Sequence, residues 1–290
     1  MSTQSNAGAV LVDGQPTQLV DSAQRALSYG DGLFETIRVV DGKPLLWGAH
    51  MARLKRGCLR LKISLPQAFE QHLLDDLTYL HKLTGLLSGT FKLTVSRGAG
   101  PRGYKFSDQL ALCRITSLSP PASFSHQAIE GVALTLCETR LARQPLLSGI
   151  KHLNRLEQVL ARSEWQSSEY FEGVVRDTQG YVIEGTMSNL FWLRENVWYT
   201  PSMQWAGVDG VIRQSLMTLI AASGIQMCEG EFDLQHVLGS ESVLICNSLI
   251  DVIPVNKIVC GGRQHQFSIS PMLVDLQKML QAFYREENEL

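Results

Sequence analysis

The stretch Gly149-Ile150-Lys151-His152-Leu153-Asn154-Arg155-Leu156-Glu157-Gln158-Val159-Leu160 decides how the rest of the chain is read. Asn154 with Glu157 three residues on predicts a capping box, and Leu156, Val159 and Leu160 open an apolar helical stripe behind it. Lys151 then sits on a short loop just ahead of a helix. A lone lysine is ordinarily a solvated surface charge. Its neighbours in sequence, upstream and downstream, argue for more.

Upstream, Ser117 to Ser123 holds two prolines among small polar residues and reads as the interdomain linker. The expected division is an N-terminal domain over 1–118, a linker over 119–126 and a C-terminal domain over 127–290. The C-terminal domain opens with a strand over Gly131 to Glu138 and reaches Lys151 through a turn at Pro145. Downstream, strands over Gly173–Arg176 and Tyr181–Ile183 precede Glu184-Gly185-Thr186-Met187-Ser188-Asn189-Leu190-Phe191-Trp192. After a strand ending at Pro201, Gly207-Val208-Asp209-Gly210-Val211-Ile212-Arg213 leads into a helix through Ala222 that Gly224 stops. Two glycines and a helix start make a ready phosphate site, with Val211 and Ile212 as backbone donors. Asp209 suits such a site only if its side chain turns back to cap the helix. Strands over Ser242–Asn247 and Val252–Val259 and a final helix over Pro271–Tyr284 complete this half.

In the N-terminal half, short strands at Ala9–Val12 and Gln18–Val20 flank Asp13-Gly14. Phe34 to Val40 alternates as a strand and ends in an Asp41-Gly42 hairpin turn before Pro44–Trp47. Glu35 therefore faces away from Thr36 and Arg38, and spacing leaves open which face meets a ligand. Helices follow over Gly48–Leu61 and Gln67–Leu83. A strand over Thr90–Ser96 runs into Arg97-Gly98-Ala99-Gly100-Pro101-Arg102-Gly103-Tyr104, a literal GxGxxG that Pro101 and the polar residues beyond keep from opening a helix, so a dinucleotide site is rejected. Gln109–Ser117 is the last strand of this half.

The totals exclude several classes. The 290 residues are 44% hydrophobic and 19% charged, with a net charge of −2 and no basic stripe, which argues against nucleic acid as a partner. No apolar run reaches the length of a membrane span. Met1 to Asn6 has neither the basic nor the apolar region of a signal peptide. Six cysteines without a CxxC pair lack zinc spacing, no metal ligand set is evident, and reduced thiols in the cytoplasm are expected.

Taken together, these motifs resemble the fold-type IV pyridoxal-phosphate enzymes, the superfamily of the branched-chain and D-amino-acid aminotransferases, from about Tyr29 to Asn247. Within it, the Lys151–Arg162 run and the Arg97–Tyr104 loop are most similar to the aminodeoxychorismate lyases. The resemblance implies a two-domain α+β or α/β fold with the active site between the domains. It implies pyridoxal 5′-phosphate carried by Lys151 as a Schiff base, with Lys151 as the catalytic residue. Arg53 in His50-Met51-Ala52-Arg53-Leu54 and the Val211–Ile212 amides would grip the phosphate, a dianion that suits the guanidinium fork. Glu184 would meet the pyridine nitrogen, with Asn189 and Asn247 supporting the cofactor. Thr36, Arg97, Arg102 and Ser248 would contact a small-molecule substrate. The implied activity converts 4-amino-4-deoxychorismate to 4-aminobenzoate and pyruvate, a step of folate biosynthesis, in a cytoplasmic homodimer. The alternatives are a D-amino-acid or branched-chain aminotransferase of the same fold and, from another class, a cofactor-free binding or regulatory protein. Transaminases of this type often carry a tyrosine five residues after the lysine; Leu156 occupies that place and disfavours an ordinary branched-chain transaminase.

Overall fold

A computed structural model describes residues 9–107 and 111–289. The signal-peptide reading of Met1–Asn6, and Gln109 and Leu110 of the last N-terminal strand, lie outside the described residues. The chain separates into two compact units, one formed by residues 1–122 with 150–154, the other by 123–149 with 155–290. This corrects the expected contiguous domain over 127–290, because the five residues around Lys151 pack with the first unit. A strand running to Ser119 and a helix beginning at Ser125 also shorten the linker.

The first unit comprises β1 (Ala9–Val12), β2 (Gln15–Pro16), α1 (Arg25–Tyr29), β3 (Gly32–Val40), β4 (Lys43–Pro44), α2 (Trp47–Leu61), α3 (Phe69–Thr84), β5 (Gly89–Ser96) and β6 (Cys113–Ser119). Its six strands form one sheet in the order β2-β1-β6-β5-β3-β4, antiparallel throughout. The strand expected at Gln18–Val20 is absent; the two-residue Asp13-Gly14 turn brings Gln15–Pro16 back onto β1 instead. On β3, Leu33, Glu35, Ile37 and Val39 are buried while Phe34, Thr36 and Arg38 are half-buried, the alternation of a strand with one face on a core. Leu93, Val95 and Phe91 of β5 lie opposite, and Met51, Leu54 and Cys58 of α2 and Leu73, Leu77 and Leu80 of α3 complete the apolar layer.

The second unit comprises α4 (Ser125–Glu130), β7 (Val132–Leu141), α5 (Leu156–Ser163), β8 (Glu172–Asp177), β9 (Val182–Gly185), β10 (Asn189–Arg194), β11 (Val197–Pro201), α6 (Val211–Ala222), β12 (Met227–Gly230), α7 (Leu234–Leu238), β13 (Ser242–Asn247), β14 (Asp251–Cys260), β15 (Arg263–Gln266) and α8 (Pro271–Glu289). Its nine-stranded mixed sheet runs β12-β11-β10-β13-β14-β7-β8-β9, with β15 paired to β14. Leu134, Val174, Leu190, Trp192, Ile245 and Ile253 form the larger core, and Cys137, Leu141, Trp165, Val175 and Ile183 a second one.

The capping box is also corrected. Arg155 is the N-cap of α5 and makes no side-chain cap. Asn154 donates through Nδ2 to the Gly30 carbonyl at 3.1 Å, and Glu157 accepts the Ala142 N–H at 2.9 Å. Both side chains serve tertiary contacts at the two ends of the Lys151 segment rather than the helix start. The apolar stripe exists but is exposed: Leu156, Val159 and Leu160 are 77%, 60% and 59% accessible.

Candidate active site

In the first unit, the Lys151 segment lies antiparallel against the start of β3. Phe34 N–H donates to the Lys151 carbonyl at 3.0 Å, Leu153 N–H donates to the Gly32 carbonyl at 3.0 Å, and His152 bridges to Leu33. These main-chain bonds run from the Lys151 carbonyl onward and hold the Lys151 backbone against β3. Lys151 Nζ stands 4.4 Å from the centre of the Phe34 ring, a cation–π distance. Phe34 shares its face of β3 with Thr36 and Arg38.

Glu35 occupies the opposite face, fully buried among leucines and valines. An isolated carboxylate there would be prohibitive, and α2 supplies its partners from one side of one helical turn. Arg53 donates through Nε to Glu35 Oε1 at 2.9 Å and through Nη2 to Oε2, while His50 Nδ1 lies 2.7 Å from Oε2. Burial raises the Glu35 pKa, but the Arg53 charge and the His50 and Arg53 hydrogen bonds outweigh it and bring it to about 2. Burial lowers the His50 pKa; Glu35 opposes this, and the Arg53 and Lys151 charges add to it. Arg53 thus has two donors committed to Glu35. Sequence reading missed His50, although its i, i+3 spacing to Arg53 is a signal.

Arg97 is corrected as a substrate contact. It is buried, with Nε and Nη2 on Asp31 at 2.8 and 3.1 Å and with Nη1 and Nη2 on the Lys62 and Leu61 carbonyls at 2.7 and 2.6 Å. Its guanidinium also lies 3.6 Å from the Phe106 ring centre. A guanidinium has five N–H donors, and these bonds occupy four. Arg102 is exposed. Among the described residues, 104–107 carry no helix.

In the second unit, the Glu184, Asn189 and Gly207–Arg213 segments come together. Glu184, 4% exposed at the end of β9, accepts Val208 N–H at 2.8 Å on Oε2 and Gln158 Nε2 at 3.5 Å on Oε1. Asn189 donates to the Val208 carbonyl at 2.9 Å, and a Cβ on Gly210 would lie 2.0 Å from Asn189 Oδ1, so a larger residue there would displace the Asn189 side chain. The hydrogen-bond ladder of α6 begins with Gln214 N–H on the Gly210 carbonyl, leaving the N–H groups of Val211 and Ile212 outside it. Asp209 does not cap the helix. Its Oδ1 accepts Arg213 Nη1 at 3.0 Å and Gln214 Nε2 at 2.5 Å, so Arg213 neutralises the carboxylate that is awkward beside an anion.

Asn247 is held by the turn that follows it and by the Met187 carbonyl. Its Oδ1 accepts Leu249 and Ile250 N–H at 2.8 and 3.0 Å, and its Nδ2 donates to the Met187 carbonyl at 3.0 Å. Ser248 is half-buried in the turn behind it. Burial pushes the Cys246 thiol up to about 12, which excludes a thiolate nucleophile. Glu172, unremarked in the sequence, is fully buried and accepts the Thr186 and Met187 N–H groups, both at 3.0 Å, and the Ser188 hydroxyl at 2.9 Å. It shapes the turn between Glu184 and Asn189; its only signal is a carboxylate at the head of an apolar strand.

A family model described as amino-transferase class IV matches residues 32–258. The chain is 35% identical, over 92% of its length, to an aminodeoxychorismate lyase from Vibrio harveyi, 97% of which is covered. It is 29% identical to a D-alanine aminotransferase from Bacillus licheniformis, over 82% of this chain and 83% of that one. A crystal structure of 4-amino-4-deoxychorismate lyase from Pseudomonas aeruginosa superposes with a TM-score of 0.87 at 37% identity, covering 94% of this chain and 98% of the other.

Proposed function

The chain belongs to the class IV aminotransferase family, and from that premise we propose that it is a pyridoxal-phosphate-dependent 4-amino-4-deoxychorismate lyase, releasing 4-aminobenzoate and pyruvate for folate synthesis. What favours lyase over transaminase is the match itself, which is longer and higher in identity to the Vibrio harveyi and Pseudomonas aeruginosa lyases than to the D-alanine aminotransferase. The observation that carries the chemistry is Lys151, clamped by main-chain bonds with its Nζ over Phe34.

The donor set suits the cofactor: an amine at Lys151, a buried carboxylate at Glu184, and the Val211 and Ile212 N–H groups, which lie outside the α6 ladder beside Gly210, where a Cβ would crowd Asn189. When bound, pyridoxal phosphate supplies an electron sink. Lys151 would hold it. The backbone N–H groups of Val211 and Ile212 and the Arg53 guanidinium would take its phosphate, and Glu184 would meet its pyridine nitrogen. Asn189 sets the Val208–Gly210 loop in place. Lys151 Nζ, once free, accepts the proton from the amine-bearing ring carbon of the substrate. The ring-carbon–oxygen bond to the enolpyruvyl group then breaks, and aromatisation draws the reaction forward. The departing enolate takes back a proton and becomes pyruvate. Arg102 pairs with a substrate carboxylate, and Thr36, beside Phe34 on the Lys151 face of β3, and Ser248 complete the contacts.

The protein acts as a cytoplasmic homodimer in this reading. The exposed Leu156, Val159 and Leu160 stripe supports dimerisation, since a helix face of that character is ordinarily covered. The test has two arms. Borohydride reduction followed by peptide mapping places the pyridoxyl group on Lys151. The purified enzyme, given 4-amino-4-deoxychorismate and no 2-oxo acid, releases pyruvate and 4-aminobenzoate in equal, repeated turnover. Transamination of D-alanine or L-leucine with 2-oxoglutarate, without release of either product, refutes the lyase reading.

A further inference from the structure

Arg25 opens α1 and is 3% exposed. Its Nε donates to Asp31 Oδ2 at 2.8 Å, Nη1 to the Gly103 carbonyl at 3.0 Å and Nη2 to the Tyr104 carbonyl at 3.2 Å. Those two carbonyls directly follow Arg102. At the far end of α1, the Tyr29 hydroxyl accepts Gly103 N–H at 2.9 Å, and the Tyr29 ring meets the Tyr104 ring edge-on at 5.5 Å. The base of the same loop is fixed as well. Arg25 N–H donates to the Gly98 carbonyl at 3.0 Å and Gly100 N–H to the Ala23 carbonyl at 3.2 Å. Gly98 has φ +92°, and a Cβ on it would lie 1.8 Å from the Ala111 carbonyl oxygen, so this approach requires glycine. Asp31 joins the two arginines, since Oδ2 receives Arg97 Nε as well as Arg25 Nε.

One guanidinium therefore reaches a carboxylate and two consecutive carbonyls of a loop without regular secondary structure. Only a planar fork with several donors does this; a lysine carries a point charge. We infer that Arg25, anchored by Asp31, is a positioning residue that presents the exposed Arg102 to the substrate carboxylate by fixing the main chain immediately after it. The ordering cost of that loop is then met during folding rather than on binding, and the gain shows in substrate affinity. The two positive charges around Asp31 outweigh the effect of its burial and hold its carboxyl below the usual range, so the anchor stays charged at neutral pH. This inference rests on the lyase reading in which Arg102 grips the substrate.

The experiment is a double-mutant cycle in the holoenzyme, with R25Q, R102A and R25Q/R102A, and with R25K as the variant that keeps the buried charge should R25Q fold poorly. Removing a charge-assisted grip raises KM roughly ten- to a hundredfold for R102A. R25Q raises KM about tenfold, leaves kcat within about threefold and does not change pyridoxal phosphate retention on dialysis; R25K falls between. On the R102A background R25Q adds less than about twofold, because residues acting through one another are not additive. Trypsin also cuts after Arg102 faster in R25Q and R25K than in the parent. If R102A leaves KM unchanged, the Arg102 assignment falls and takes this inference with it, while product release still tests the lyase reading independently. If R102A raises KM but the Arg25 substitutions multiply with it or leave KM alone, only the Arg25 inference is overturned.

Discussion

Glu35 and Glu184 are both buried carboxylates, one in each unit, and they are satisfied in different ways. Glu35 sits in the middle of an apolar strand face and is matched by a full cation, Arg53, with His50 as a second partner. Glu184 ends a strand, where it accepts a main-chain N–H and a side-chain amide. The first arrangement balances charge inside the protein, so breaking it strands a buried guanidinium. The second ties a carboxylate to the Val208 loop that leads into α6. Burial alone therefore does not separate a structural acid from a functional one. In the proposed reading, Glu35 carries stability, and Glu184 meets the cofactor.

In the proposed reading Lys151 is the extreme case of the functional kind, and its side chain stands over an aromatic ring on a segment held by main-chain bonds. Lys151→Ala lowers pyruvate release by roughly a thousand- to ten-thousandfold or more, the scale of a lost general base, and leaves the melting temperature near the parent's. A melting temperature that falls with activity breaks the contrast at its strongest point.

Glu35→Gln is the opposite experiment. Uncovering the buried Arg53 costs about 3–5 kcal/mol, and the thermal midpoint drops by roughly 10 °C. The pH dependence has a fixed sign. The folded-state value of about 2 lies below the ordinary 4.5, so the Glu35 contribution is complete above about pH 4.5 and is lost as pH falls toward 2. Calorimetry between pH 5 and 2 therefore shows a steeper acid loss in the parent than in Glu35→Gln. Parallel curves contradict the assignment.

Glu184→Gln reverses the pattern. Losing a charge-assisted hydrogen bond costs about 1.5–3 kcal/mol, roughly ten- to a hundredfold in rate if fully felt in the transition state. The Val208 N–H still finds an acceptor in the amide oxygen, so the midpoint moves little. Unchanged turnover rejects the role.

Much of this was legible in the sequence, and the failures share a cause. Phe34–Val40 and Gly48–Leu61 announce themselves by periodicity, because each has one face on a core, and Ser242–Asn247 by a short apolar run that is buried on both faces. The loop at Lys151, the strand end at Glu184 and the helix start at Val211 follow from local motifs, and local geometry is what those motifs encode. The errors concern side chains whose partners are remote in sequence. Asn154 and Glu157 have the spacing of a capping box, yet each bonds outside its helix, to Gly30 and Ala142. Arg97 and Arg102 look equivalent in a loop until Asp31 and the Lys62 carbonyl claim one of them. Glu172 is silent because nothing near it in the chain shows that the 186–188 turn needs its oxygens.

The finest distinction is between His50 and Gln158, the second partners of the two carboxylates. His50 lies 2.7 Å from Glu35, whereas Gln158 Nε2 stands 3.5 Å from Glu184, at the outer limit of a hydrogen bond. A contact that long contributes under about 1 kcal/mol, and Val208 N–H at 2.8 Å remains to hold the carboxylate when it is gone. Gln158→Ala therefore slows turnover by less than about fivefold and leaves cofactor retention unchanged, the smallest effect in the series. The decisive measurement is kcat in Gln158→Ala beside Glu184→Gln under saturating cofactor. If the two losses are equal, Gln158 does more than support Glu184, and a distant amide must be counted with the groups that set the chemistry.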